Sequence, residues 1–154
     1  MQQQALSTIV SWVRLERALE AFHLELRQRF GITGLQLAVL RILAERPQLP
    51  LAALRKALVM HPATLGQAID ALRRKDLVTV RTDPTDRRAR NVALTPAGTT
   101  LLATAPLAGA MRLREVQTDP ARLDRLTAAL DDAVELFGLE AWAPGRREGN
   151  EPKA

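Results

Sequence analysis

The stretch DPTDRRAR, residues 83–90, brings together residue types that bind anions. It contains three arginines and two aspartates, and arginine offers a permanently charged, planar set of donors that matches phosphate oxygens. The wider segment from Arg55 to Arg90 has nine Lys/Arg and four Asp/Glu, so its excess of +5 equals the net charge of the whole chain. Most charge runs are solvated faces, but this concentration favours a polyanionic partner such as nucleic acid.

The composition narrows the expected partner to a duplex. Aromatic residues make up only 3% of the chain and tyrosine is absent, whereas single-strand binders stack bases on aromatic side chains. A membrane partner is disfavoured because the basic stretch is not one amphipathic helix with bulky apolar anchors. No apolar run approaches the roughly 18 residues that cross a bilayer, and the N-terminus lacks a signal-peptide pattern. We therefore expect a cytoplasmic protein without membrane association.

Catalytic and metal chemistry find little support in the sequence. The 154 residues include no cysteine, which excludes disulfides, thiolate catalysis and thiol redox sensing. The two histidines, His23 and His61, fall in separate predicted helices, so a zinc site is not expected. There is neither a defensible Ser/His/Asp arrangement nor a glycine-rich phosphate loop. The sequence thus predicts no enzyme, no catalytic residue, no bound metal and no cofactor.

The charged stretch lies between two segments in which apolar and polar residues alternate. Residues 78–81 precede it and residues 91–94 follow it. A period of two indicates strands and the Asp-Pro pair indicates a turn, so we expect a β-hairpin with Asp83–Arg88 at its tip. Thr95 then fits the N-cap of a new helix, with Pro96 in its first turn.

Four helices are predicted before the hairpin, each bounded by a capping or helix-breaking residue. They are expected at residues 5–30 before Gly31, from Thr33 to before Pro47, from Pro50 onward, and from His61-Pro62 to Arg73-Arg74-Lys75. Thr33 and Gln36 match a capping box at the start of the second helix. The third and fourth helices lie close together in sequence, as in a helix-turn-helix whose second helix enters the major groove.

Two helices are predicted after the hairpin. The first runs from Pro96 to about Val116 with a kink near Pro106, and the second starts at Asp119-Pro120. The tail, residues 140–154, is rich in glycine and proline and is expected to be disordered. The predicted fold class is mainly α with a small β-wing: a winged helix-turn-helix flanked by long terminal helices.

The predicted β-hairpin is the wing of this fold, and its tip with the residues that follow resembles the MarR family of winged-helix transcription regulators. Residues 83–88, DPTDRR, and 92–98, VALTPAG, match the family's D-x-x-D-R-R…L-T-x-x-G pattern. Leucines within residues 35–43 and 51–54 fit the preceding helices. The likeness is strong over about residues 33–98, whereas the terminal helices match in length and pattern only. The wing motif is specific, while a helix-turn-helix pattern alone occurs in many folds.

This resemblance implies an organisation and a function. Residues 1–139 form a single unit, with the DNA-binding region at 33–95 and dimerisation helices at 5–30 and 96–139. A homodimer with twofold symmetry then binds a pseudo-palindromic operator in double-stranded DNA. The implied activity is that of a repressor released by a small-molecule ligand.

The resemblance also assigns DNA-binding roles by position. Arg88 enters the minor groove, where a narrow A·T-rich groove has enhanced negative potential. Asp86 either pairs with Arg88 or braces the tip, and Arg87 and Arg90 lie near phosphates. The fourth predicted helix, the second of the helix-turn-helix, is the recognition helix. It contains the other candidate DNA-binding residues: Pro62, Ala63, Thr64, Gly66, Gln67, Arg73 and Arg74.

The recognition helix departs from the family's pattern. Ala63, Gly66 and Ala71 face outward with little hydrogen-bonding capacity, which leaves Thr64 and Gln67 to read base edges. An alternative is therefore a winged-helix protein-interaction module that has lost operator recognition. The basic wing argues against this alternative, because a lapsed DNA binder need not keep its arginines.

The resemblance also draws attention to Asp76, at the end of the recognition helix, and to Trp12, on the first helix. Asp76 stands where a glycine commonly ends the recognition helix, and aspartate tolerates the left-handed conformation better than most residues. Trp12 is the most suggestive residue for a cleft that holds a small aromatic or anionic effector. Packing within a dimer is the more frequent role for such a tryptophan.

Overall fold

The computed structural model describes residues 1–58 and 62–143, without the side chain of Pro62. The chain divides into two compact units at Glu115–Val116. The helices and strands are α1 (Gln2–Glu25), a π-helical turn (Leu26–Phe30), α2 (Gly34–Glu45), β1 (Gln48–Pro50), α3 (Leu51–Leu58), α4 (Pro62–Arg74), β2 (Val78–Thr82), β3 (Arg90–Leu94), α5 (Pro96–Thr104), a 3-10 turn (Ala110–Arg114) and α6 (Pro120–Leu136). The mainly α fold with a small β-wing is confirmed, and the predicted helix start at His61 lies outside the described residues.

The first predicted helix is confirmed, with a change of winding at its end. α1 passes directly into the π-helical turn, and the fully buried Leu26 begins that turn. Gly31 ends the helix at φ 64°, a left-handed conformation that glycine adopts without steric cost. Its N–H donates to the carbonyl of Arg27 over 3.1 Å. The glycine therefore terminates the helix as the sequence predicts.

The start of α2 confirms the predicted capping box. The Thr33 hydroxyl accepts from the N–H of Gln36 over 3.1 Å, and the Gln36 side chain accepts from the N–H of Thr33 over 3.1 Å. These bonds fix the register of α2, whose apolar face enters the core of the first unit. That core also takes residues from α3, α4 and the sheet; its fully buried members include Leu40, Leu54, Leu65 and Val92.

The hairpin is confirmed and gains a third strand. β2 pairs antiparallel with β3, and β1 pairs with the other edge of β3, which gives the order β1-β3-β2. Pro50, expected in the first turn of α3, ends β1 opposite Asn91 instead. A proline is tolerated there because β1 is an edge strand, where the missing N–H donor of proline costs little. A strand of three residues is too short to show alternation in the sequence.

The predicted helix from Pro96 to about Val116 is wrong in its second half. α5 ends at Thr104, and Ala105 is extended at φ −68° and ψ 140° because the following Pro106 disfavours the α conformation. Arg41 of α2 donates to the freed carbonyls of Ala105 and Pro106 over 3.1 and 3.4 Å. The expected kink is therefore a complete break, stabilised by a side chain distant in sequence.

The 3-10 turn that follows is also anchored to α2. Arg114 donates to both carboxylate oxygens of Glu45 over 3.0 and 2.6 Å. The hydrogen bonds from Arg114 lower the pKa of Glu45. The pair is more than a third exposed, so it orients the turn more than it stabilises the fold.

The second unit contains α6, which begins as predicted. Asp119 caps it by accepting from the N–H of Ala121 over 3.1 Å, with Pro120 in the first turn. Of the tail expected to be disordered, residues 144–154 lie outside the described residues. None of the described helices is long and apolar enough to cross a membrane.

Candidate nucleic-acid interface

α4 presents one face to the core and the other to solvent. Leu65, Ile69 and Leu72 are 0–4% exposed, so the opposite side of the helix must point outward. Its outward positions divide by exposure: Ala63, Thr64, Gln67, Arg73 and Arg74 are exposed, and Gly66 and Ala71 are half-buried. A guanidinium nitrogen of Arg73 lies 3.6 Å from a carboxylate oxygen of Asp70, one turn earlier in the helix. The predicted recognition face is thus accessible, with two arginines at its C-terminal end.

The end of α4 is a Schellman motif built on Asp76. This aspartate has φ 58° and is the one described residue other than glycine with a positive φ. Its N–H donates to Arg73, and the N–H of Leu77 donates to Leu72 over 3.0 Å. The prediction that Asp76 takes the left-handed role of a glycine is confirmed. The motif sets where the chain leaves α4 and enters β2.

Thr95 connects the Schellman motif at the end of α4 to the start of α5. Its hydroxyl donates to the carbonyl of Asp76 over 2.5 Å and accepts from the N–H of Gly98 over 3.0 Å, which caps α5. Its N–H donates to the carbonyl of Leu77 over 3.2 Å. Gly98 packs so closely that a β-carbon there would overlap this same oxygen. The L-T-x-x-G pattern therefore joins the end of the recognition helix to the start of α5.

The wing tip is organised by Asp83. One oxygen accepts from the N–H and hydroxyl of Thr85, over 2.8 and 2.6 Å, and from the N–H of Asp86 over 3.2 Å. The other accepts from the side-chain amide of Asn91 on β3 over 2.9 Å. These bonds, led by the Thr85 hydroxyl and the Asn91 amide, lower the pKa of Asp83 to about 2. Asp83 and Asn91 were not among the predicted site residues.

Asp86 braces the tip and makes no ion pair with Arg88 in the part of the chain that the structure describes. Its carboxylate accepts from the main-chain N–H of Arg88 over 2.9 Å, and its carbonyl accepts from Ala89 over 3.0 Å. Of the two predicted roles for Asp86, the structure shows the bracing one. The side chains of Arg87, Arg88 and Arg90 are exposed.

The end of the wing tip and the start of β3 form an arginine-lined groove with α3. The groove has a volume of about 260 Å³, and Arg55 faces it together with Arg88 and Arg90; its other lining residues are Pro50, Leu51, Ala52 and Ala89. The pairing of Pro50 with Asn91 places the start of α3 beside the end of the tip. In the sequence Arg55 contributes only to the overall charge of the segment, because no local pattern reveals the β1–β3 pairing.

A second groove joins the wing to the recognition helix. It measures about 210 Å³ and is lined by Gly66, Asp70 and Arg73 of α4, Arg90 and Val80 of the wing, and Leu51 and Ile69. Arg90 therefore lies on both grooves. Of the predicted site residues, the structure brings Gly66 and Arg73 of α4 together with Arg90 of the wing around this groove. Trp12 lies elsewhere, on α1, and is 39% exposed.

The fold and this surface define a winged helix-turn-helix protein with a basic wing. A family model for the MarR family matches residues 30–89. The transcriptional regulator HosA of Escherichia coli O111:H- is 36% identical over 98 residues, which cover 56% of this chain and 72% of HosA. The chain belongs to the MarR family of transcriptional regulators.

Two solved structures show the same fold. A cysteine-to-serine mutant of MarR from E. coli, complexed with operator DNA, is 20% identical with a TM-score of 0.60; the match covers 82% of this chain and 93% of that chain. BpsR of Bordetella bronchiseptica, whose DNA binding is regulated by 6-hydroxynicotinic acid, is 26% identical with a TM-score of 0.52; the match covers 79% of this chain and 97% of that chain.

Proposed function

We propose that this regulator binds specific sequences in double-stranded DNA through α4 and the wing. The observation that supports this proposal most is the shared placement of Arg88 and Arg90 with Arg55 around one groove. Three arginines from two separate elements make a surface suited to a sugar-phosphate backbone. The exposed Thr64 and Gln67 lie on the neighbouring helix and supply the hydrogen-bonding groups for base edges.

The predicted residues take separate roles in this proposal. Arg88 enters the minor groove from the tip that Asp86 braces, while Arg87 and Arg90 contact phosphates. Arg73 and Arg74 add positive charge at the end of α4. Small residues on the outward face, Ala63 and Gly66, allow the helix to approach the major groove closely, and Pro62 before them is a further proposed DNA contact.

The proposed working form is a homodimer on a pseudo-palindromic operator. Residues 1–21 include no buried position in the single chain. Large apolar side chains of α1 are exposed: Leu6, Ile9, Val10, Trp12, Val13, Leu15 and Leu19. Exposed apolar area of this extent calls for a partner. A second copy of α1 gives the isologous contact that a twofold operator requires.

The proposed mode of action is repression in the cytoplasm, relieved by a small effector. The regulation of BpsR by 6-hydroxynicotinic acid, a small aromatic molecule, supports this class of effector. Trp12 is the proposed effector contact, with dimer packing as its competing role. An effector can release DNA only if it binds the free form of the protein more tightly than the DNA-bound form.

The test is titration of labelled duplex with the purified chain at two salt concentrations. We expect DNA from upstream of its own gene to bind at least tenfold more tightly than a scrambled duplex of equal composition. Binding should weaken with salt for both duplexes, because phosphate contacts release counterions. Equal affinity for the two duplexes at both salt concentrations would overturn sequence-specific recognition.

A second candidate function is a protein-interaction module that has lost operator recognition. Ala63 is exposed on the recognition helix, and Gly66 and Ala71 are half-buried there, so much of this face lacks hydrogen-bonding side chains. The same titration separates the candidates. A lapsed DNA binder shows neither a preference for the cognate duplex nor a loss of affinity when Arg88 is replaced.

A further inference from the structure

Asp83 is the only described residue of the wing whose side chain bonds to both ends of the tip. It holds Thr85 and Asp86 on one side and Asn91 of β3 on the other. Its own N–H also donates to the carbonyl of Ala89 over 2.9 Å. An exposed loop has little apolar area to bury, so hydrogen bonds of this kind decide its shape.

A carboxylate at this place opposes the proposed function by its charge alone. Asp83 lies within the tip that is expected to approach phosphates, where a negative group weakens attraction to DNA. The hydrogen bonds of this carboxylate can offset the repulsion only if they hold in place groups that DNA recognition needs. The arginines that follow Asp83 in the tip are the groups to be fixed.

We propose that Asp83 is a positioning residue that directs Arg88 toward DNA, with Asn91 as its anchor on β3. The connection runs through hydrogen bonds: Asp83 holds the N–H of Asp86, and the Asp86 carboxylate holds the N–H of Arg88. The guanidinium of Arg88 forms no ion pair among the described residues, so its direction depends on this main-chain path. The proposal rests on the proposed function, and it adds a residue pair that acts without touching DNA.

The variant Asp83→Asn separates geometry from charge. Asparagine can keep its oxygen toward the Thr85 N–H but then presents an NH2 group to Asn91, whose amide must turn its own oxygen toward it, so charge-assisted hydrogen bonds become neutral ones. If Asp83 acted only by its charge, its removal would tighten binding to every duplex. The positioning role predicts instead that the preference for the cognate over the scrambled duplex falls about tenfold, as expected when a charge-assisted hydrogen bond is lost.

The double variant Asp83→Asn with Asn91→Asp is the matched control. It has the net charge of the wild type, and an aspartate at position 91 can accept from the amide at position 83. We expect it to restore the cognate preference to within about threefold of wild type, since geometry of the same kind is rebuilt. Circular dichroism should show that all variants are folded at the temperature of the binding measurement, because the tip is exposed and contributes little to the core.

Amide hydrogen exchange in the free protein gives an independent reading of the tip. The amides of Thr85, Asp86 and Arg88 should exchange faster in Asp83→Asn and return to wild-type rates in the double variant. Tighter binding to both duplexes by Asp83→Asn, or no rescue by the double variant, would overturn the positioning role. If the wild type shows no cognate preference, the proposed function fails, and the exchange rates alone then decide whether Asp83 orders the tip.

Discussion

Arg87 and Arg88 are neighbours in the chain, but the proposed contacts give them different effects on binding. We expect Arg88→Ala to weaken cognate binding more on A·T-rich flanks than on G·C-rich flanks, because a narrow minor groove attracts arginine. Arg87→Ala should weaken all duplexes alike and reduce the salt slope by about one ion. The measurement is duplex titration with the two flanks exchanged.

Both arginine variants should leave stability nearly unchanged, within about 0.5 kcal/mol, since both side chains are exposed. A thermal melt of each variant serves as the control for folding. Equal losses of Arg88→Ala on both flanks would reduce the wing to an electrostatic contact and remove the minor-groove role.

Asp83 also predicts a pH dependence of the wing tip. Its pKa is lowered to about 2 by hydrogen bonds to the charged form, against about 3.9 in an unfolded chain. A lowered carboxylate pKa contributes stability above the unfolded value, and this contribution is lost as the pH falls from about 4 toward 2. We expect the Asp83 carboxyl to titrate near pH 2 by NMR. In Asn91→Ala the midpoint should rise, because one donor is gone; a wild-type midpoint near 4 would contradict the bonding seen here.

At the level of elements, the joint between α4 and α5 gives a prediction with an internal control. Gly98→Ala should destabilise the fold by about 1–3 kcal/mol, because the added β-carbon has no room beside the carbonyl of Leu77. Gly66→Ala should instead stabilise α4 by about 0.5–1 kcal/mol, since nothing lies within 4 Å of the added carbon. Urea unfolding of both variants measures the two effects, and a neutral Gly98→Ala would show that the joint is not close-packed.

Local patterns predicted the elements that local bonds determine. The capping box at Thr33, the left-handed Asp76 and the cap at Thr95 each depend on residues within a few positions, and each is confirmed. The break at Pro106 was underestimated because its stabilising partner, Arg41, is 64 residues from Ala105. Strand β1 was missed because three residues carry too little pattern.

The candidate site likewise combines features that local sequence patterns determine with features that depend on residues distant in sequence. The charge of the wing and the outward face of α4 are readable from the sequence, because strand alternation and helical periodicity fix them. The groove that joins Arg55 to Arg90 needs the pairing of β1 with β3, which no local signal gives. The role proposed for Asp83 is not visible in the sequence, because the sequence shows its charge and not the four hydrogen bonds that its carboxylate accepts.

At the level of the whole molecule, the exposed apolar side chains of α1 predict how the chain assembles. We expect a dimer at micromolar concentration by light scattering, because α1 exposes Ile9 and Val10 by 53% and 60% in the single chain. Ile9→Glu should shift the protein toward monomer, since it places a charge where a second chain is expected to pack. Ala44→Glu adds the same charge at an exposed position of α2, outside the predicted dimerisation helices, and should leave the dimer intact.

The same pair of variants links assembly to DNA binding. Half-sites about one helical turn apart require two recognition helices held at a fixed distance. A monomeric Ile9→Glu protein should therefore bind a single half-site as the wild-type unit does but lose the gain that the wild type shows on two half-sites. Shifting the half-sites by five base pairs, half a helical turn, should remove that gain for the wild type as well. A folded wild-type monomer in light scattering, with unchanged binding on the shifted operator, would mean that each chain reads DNA alone and that the exposed face of α1 serves another partner.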